Sequence, residues 1–118
     1  MGLDFRGSNA QWSYGGFMSF RIKLAEQIGI DLRRMEGLTD HGIAWSSFPK
    51  DPIHLLLNHS DCEGHLTAKQ CARVAPRLRE LVAEWPSDIQ HAYDKDNALL
   101  LAKGMEQCAR KNKRLEFC

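Results

Sequence analysis

The sequence predicts a mainly α-helical domain: a compact bundle of about four helices, with a short two-stranded β patch where the chain ends meet. Apolar residues recur three and four apart in four stretches, helix-capping residues border those stretches, and strict polar/apolar alternation is confined to the tail. At 118 residues, 43% hydrophobic and 26% charged, the chain has the length of one domain and enough apolar surface for one core, so a single helical domain is expected over 1–118.

Residues 1–12 mix Gly7, Ser8 and Asn9 with Phe5 and Trp12, which reads as an extended or turning arm pinned by its aromatics. Ser13 is an N-cap. Behind it Phe17, Phe20, Leu24 and Ile28 share one helical face, Arg21, Lys23, Glu26 and Gln27 the other, and Gly29 suits the left-handed residue that closes a helix. The segment Ile30 to Met35 adds a short helical turn. Over 36–50 the periodicity lapses amid Gly37, Gly42, Ser46, Ser47 and Pro49, predicting a long loop around Trp45 and Phe48. Asp51 followed by Pro52 starts a short helix carrying Ile53, Leu55, Leu56 and Leu57, which stops near Asn58.

Thr67 and Gln70 form a capping box, and Cys71, Val74, Ala75, Leu78, Leu81, Val82 and Trp85 then repeat at helical spacing down to Pro86, with a kink expected at Pro76. Ser87 and Asp88 cap the last helix, whose stripe is Ala98, Leu101, Ala102, Met105, Cys108 and Ala109, with Tyr93 joining its buried side. The tail Arg114 to Phe117 alternates polar and apolar, and is expected to pair as a strand with Leu3 to Phe5.

Sixteen basic against 15 acidic residues leave a net charge of +1, which gives no global field to concentrate the chain on nucleic acid. No apolar run approaches the roughly 20 residues of a membrane helix, and Met1 to Gly16 lacks the basic-then-apolar order of an export signal. A cytoplasmic protein is expected, with no membrane partner. Cys62, Cys71, Cys108 and Cys118 are therefore read as reduced thiols, Cys71 and Cys108 as core residues and Cys118 as exposed.

The densest group of ligand-type side chains lies at 58–67, between two predicted helices, and its order is that of a degenerate EF-hand loop. With Gly64 at loop position six, His59, Asp61 and Glu63 fall at positions one, three and five, and Gln70 at twelve. Calcium takes an aspartate at position one and a bidentate glutamate at twelve, where His59 and Gln70 stand instead. The preferred reading is a tight connection shaped by Asp61 and Gly64, with Thr67 capping the next helix. Calcium or zinc held by His59, Asp61, Glu63, His65 and Gln70 is the alternative, Cys62 and His54 adding zinc-competent atoms.

Cys62 beside His59 and His65 is the sole local candidate for nucleophilic chemistry, and no catalytic or phosphate-loop motif accompanies it; neither an enzyme nor a cofactor is expected. Two basic clusters, Arg21, Lys23, Arg33, Arg34 and the denser Arg110, Lys111, Lys113, Arg114, are read first as solvated faces, the second complementing a helix C-terminus. The aromatics Trp12, Tyr14, Trp45 and Phe48 fall outside the helical stripes. They are either satellites of the core or the contact residues for a protein partner.

The stretches WSYGGFMSFRIKLA at Trp12 to Ala25, DPIHLLLNHSDCEGHLT at Asp51 to Thr67 and QCARVAPRLREL at Gln70 to Leu81 resemble a group of small actinobacterial and actinophage proteins. The resemblance implies a phage or mobile-element origin and assigns no activity to any residue. The functional expectation is a small non-catalytic protein-binding module, of the phage type that acts on a host protein. The alternatives are a metal-binding regulatory or hydrolytic protein built on the 59–70 loop, and nucleic-acid binding through the basic C-terminal segment.

Overall fold

The computed structural model describes residues 2–118, and the side chains of all of these except 89 and 90. Met1 of the expected arm lies outside the described residues. The chain runs β1 (Gly2–Arg6), β2 (Ser8–Ser13), α1 (Tyr14–Gln27), α2 (His54–Leu57), β3 (His65–Leu66), α3 (Ala68–Ala83), α4 (Ile89–Arg110) and β4 (Leu115–Phe117), with 3-10 turns at Leu32–Arg34 and Trp45–Ser47. The strands form one antiparallel sheet in the order β2-β1-β4-β3.

The expected mainly α-helical bundle with a two-stranded patch is therefore corrected to a mixed α/β domain. The tail does pair with the N-terminal strand, Phe5 opposite Phe117 and Arg6 opposite Glu116, but this pair is the centre of a larger sheet. The arm is a hairpin turning at Gly7, whose φ of +114° favours glycine. Its alternation, Leu3 and Phe5 inward, then Ala10 and Trp12 inward, is interrupted by that turn and by a register shift between Leu3 and Phe5. Both interruptions hide the period of two.

All inward positions of the sheet face one core. Leu3, Phe5, Trp12, Leu66, Leu115 and Phe117 meet Phe17, Phe20 and Leu24 of α1 and the apolar stripes of α3 and α4. The stripe of α3, Cys71, Val74, Ala75, Leu78, Leu81 and Val82, is buried as its spacing predicts, and the helix runs unbroken through Pro76. Its capping box is complete: the Gln70 N–H donates to Thr67 Oγ1 at 3.2 Å and the Thr67 N–H to Gln70 Oε1 at 2.9 Å. Helix α1 closes at Gly29, φ +80°, with the Ile30 N–H reaching back to the Ala25 carbonyl at 2.8 Å. Asn112, φ +53°, closes α4 the same way, the Lys113 N–H donating to the Cys108 carbonyl at 2.9 Å.

Each sheet edge is covered. Along β2 the outward Gln11 N–H donates to Asn97 Oδ1 at 2.9 Å, and the Tyr93 hydroxyl donates to the Gln11 carbonyl at 2.9 Å, so α4 supplies the partners a further strand would give. Tyr93 is thus 60% exposed and bound to the sheet edge, whereas the helical pattern predicts it on the buried side of α4. The opposite edge, β3, is two residues long, and the His59 Nε2 faces its His65 carbonyl at 3.0 Å. Between α1 and α2 the long loop is tied by single bridges, Met35 to Ile43 and Glu36 to Thr39.

Candidate functional site

The 58–67 loop folds onto the end of the sheet. The His59 ring stacks on Phe117 with centroids 3.8 Å apart, and its nitrogens face the carbonyls of Ser60 at 2.8 Å and His65 at 3.0 Å. Both ring nitrogens thus point at backbone carbonyls, and a neutral imidazole, with one N–H, donates to one of the two. Gln70 Oε1 is engaged in the capping box, and Gly64, φ +89°, presents its carbonyl to the Phe117 N–H at 2.9 Å. Asp61 is half-buried, whereas Cys62, Glu63 and His65 are exposed. Among the described residues no group of three or more His, Cys, Asp or Glu side chains is placed to hold a metal ion. The Cys62 thiol lies 3.6 Å from Ser60 Oγ.

Beneath this loop runs a side chain the sequence reading put on the solvated face of α1. Arg21 is buried, its Nη1 donating to the carbonyls of Leu57 at 3.2 Å and His59 at 2.5 Å, with the guanidinium 4.7 Å from the Phe17 ring centroid. Burial pulls its pKa down, and the Asp61 carboxylate pushes it back up. Arg21 ties α1 to the C-terminal end of α2 and to the loop behind it.

Of the four aromatics, Trp12 is a core residue at 2% exposure, stacked on Phe20 with centroids 4.7 Å apart. Tyr14, Trp45 and Phe48 are partly buried against the core. Trp45 donates its Nε1–H to the Glu36 carbonyl at 3.1 Å and packs beside His54, centroids 5.0 Å apart. Of the four, Trp12 is thus a core residue, and the other three keep part of their surface in solvent.

The basic C-terminal segment meets residues from elsewhere in the chain. Arg6 and Gly7 of the hairpin, Gln107 and Cys108 of α4, and Lys111, Lys113, Arg114 and Glu116 border a cleft of about 530 Å³. A second hollow of about 500 Å³ shares Arg6, Gly7 and Gln107 and continues past Ser8 to Leu100, Lys103 and Gly104. The two adjoining hollows, together called the trough, follow α4 and are lined by the cations Arg6, Lys103, Lys111, Lys113 and Arg114 and, among the described residues, by Glu116 as the one carboxylate. That carboxylate is shared by Arg6 at 3.3 Å and Arg114 at 3.7 Å, while Lys103, Lys111 and Lys113 make no ion pair among the described residues. Burial raises the pKa of the Cys108 thiol in the wall, and Lys111 and Lys113 oppose the rise. Burial likewise pushes Cys71 up to about 11, as suits a core thiol.

The trough exists because the hairpin lies hard against α4. A Cβ on Gly104 would stand 2.5 Å from the Gly7 carbonyl oxygen and 2.5 Å from Ser8 Cβ. Gly104→Ala is expected to lower stability by about 1–3 kcal/mol, overpacking outweighing the ~1 kcal/mol that alanine gains over glycine within a helix. The urea unfolding midpoint reads this directly. A midpoint at or above that of the unsubstituted protein would mean that the helix and hairpin have room to spare.

Sequence reasoning found Lys111, Lys113 and Arg114 but missed Arg6, Lys103 and Gln107. Two signals were present: Lys103, Gln107 and Lys111 stand four apart on one face of a helix, and pairing the tail with the N-terminal strand brings Arg6 opposite Glu116.

What these features define is a mixed α/β domain whose four-stranded antiparallel sheet is backed by helices and whose basic trough runs between a hairpin and a long helix. No family model, no curated protein and no solved structure matches the chain, and the resemblance of the three stretches to actinobacterial and actinophage proteins gains no support from these comparisons. No described helix is long and apolar enough to cross a membrane.

Proposed function

We propose that the protein is a cytoplasmic, non-catalytic binding module that holds an anionic segment of a protein partner in the trough beside Gly7. The observation that carries the reading is convergence: cations from three separate places, Arg6 in β1, Lys103 within α4 and Lys111, Lys113 and Arg114 beyond it, border the two adjoining hollows of the trough, where the described residues include one carboxylate. Cations at a helix C-terminus complement the helix dipole, which accounts for Lys111 and its neighbours. It does not account for Arg6 or for Lys103, two helical turns earlier. Positive charge gathered around a concavity attracts and orients an anionic group, with an affinity that falls as salt rises.

The test is a nuclear magnetic resonance titration with an octaglutamate peptide. Amide shifts are expected at Gly7, Gln107 and 111–116, weakening with added salt and disappearing in the Lys111→Gln/Lys113→Gln variant. The absence of shifts at millimolar peptide, or shifts confined to other faces, would overturn the reading.

A further inference from the structure

Beside the trough, α4 leaves two large apolar side chains in solvent. Leu99 is 37% and Leu100 39% exposed. Leu100 borders the trough itself, and both leucines line an adjoining hollow of about 440 Å³ with Arg79, Asp96 and Lys103. Leu100, Lys103, Gln107 and Lys111 succeed one another three and four apart, so one exposed ridge of α4 passes from apolar to basic over eleven residues, or about 16 Å at 1.5 Å per residue. An extended segment of roughly five residues, or three turns of helix, spans that distance.

We infer that the occupant is an acidic protein segment punctuated by apolar side chains, its carboxylates along Arg6, Lys103, Lys111 and Lys113 and its apolar groups on the Leu99–Leu100 ledge. The inference rests on the proposed anion-binding role of the trough and adds the identity of what fills it. Charge complementarity requires the acidic component, because three of the trough's lysines have no ion-pair partner among the described residues. The leucines require the apolar one, since a purely anionic chain laid along this ridge covers them with groups that gain nothing from leaving water. A nucleic acid fits less well. Binding to single strands relies on aromatic faces for the bases, and Phe5, the one aromatic among the described residues bordering the trough, is buried in the core.

The experiment compares four probes by fluorescence anisotropy on the full chain: a ten-residue glutamate-rich peptide carrying two leucines four apart, the same peptide with both leucines replaced by serine, a single-stranded oligonucleotide of equal charge, and phosphatidylserine-containing vesicles. The leucine peptide is expected to bind at least tenfold more tightly than the serine peptide. In the Leu99→Ser variant, which leaves the trough-lining Leu100 in place, that advantage falls severalfold while serine-peptide binding is unchanged, a control that reports an intact fold and trough. Equal affinity of the two peptides for the unsubstituted protein overturns this inference and leaves the trough reading standing. Failure of both peptides to bind overturns both. Tighter binding of the oligonucleotide or the vesicles than of the leucine peptide overturns the protein-segment assignment in favour of those ligands.

Discussion

Trp12→Ala is expected to lower the stability of the domain by about 3–5 kcal/mol, the range for truncating a large aromatic in a packed core. Trp12 lies on the inward face of β2 with 2% of its surface exposed, and its ring meets Phe20, Phe17 and Phe5 at centroid separations of 4.7, 5.4 and 6.3 Å. Alanine leaves a void bounded by three aromatic rings that strand and helix backbones hold apart, so little of it collapses. The substitution also removes the hydrogen bond from the Trp12 Nε1–H to Asp94 Oδ1 at 2.9 Å, leaving that carboxylate with Lys23 at 3.1 Å as its remaining ion-pair partner. Small domains are stable by roughly 5–15 kcal/mol, so such a loss takes a large fraction of the total. Urea denaturation is the measurement, and a large fall in midpoint with little change in slope is the expected form. Trp12→Phe, which keeps an aromatic but loses the donor, should cost distinctly less. An unchanged midpoint for Trp12→Ala would return the residue to the surface, where the sequence alone left room for it as a partner contact.

The contrast between helices and strands in this chain shows what a sequence makes legible. Helix α3 was readable because each of its signals is local: a capping box across Thr67 and Gln70, a stripe of six buried residues, and a proline soon after its end. The sheet was legible only in part: the alternation over Arg114 to Phe117 pointed to the pairing of β4 with β1, but the extent of the sheet was not readable, because its remaining signals are interrupted or short. Strand β3 has two residues, below the length at which a period of two can be told from chance, and is fixed by a partner far along the chain. The four-stranded arrangement emerges only when His65 and Leu66 pair with Glu116 and Leu115. The trough follows the same logic. Its helical half was present as a basic cluster, but its other half, Arg6 and Gly7, joins it through pairing across most of the chain. In the 58–67 loop the Thr67 cap was legible locally, whereas the stacking of His59 on Phe117, with its ring nitrogens facing backbone carbonyls, depends on a residue far along the chain.

Arg21 is the residue whose environment departs most from its sequence pattern, and Arg21→Met should expose its role. Methionine retains an unbranched stem able to pack where the arginine stem lies, but has no donors. The carbonyls of Leu57 and His59, now served by Nη1 at 3.2 and 2.5 Å, would lose that partner at the closed end of α2. Leaving a buried acceptor unpaired costs about 1–3 kcal/mol. Against this stands relief from holding a guanidinium at 3% exposure with its Nε unpartnered, a burial that already pulls its pKa down. Two carbonyls against one desolvated cation, partly compensated by Asp61 and the Phe17 ring, give a net loss of about 2–4 kcal/mol. Because the arginine holds the 58–64 loop, the loss should be accompanied by faster amide hydrogen exchange at Phe117, whose N–H donates to the Gly64 carbonyl at 2.9 Å. Arg21→Lys should fall between the two, since one ammonium at the end of a flexible stem replaces a planar fork. A methionine variant at least as stable as the unsubstituted protein, with Phe117 exchange unchanged, would show that desolvation of the cation dominates and that the loop is held by the His59–Phe117 stack and the backbone alone.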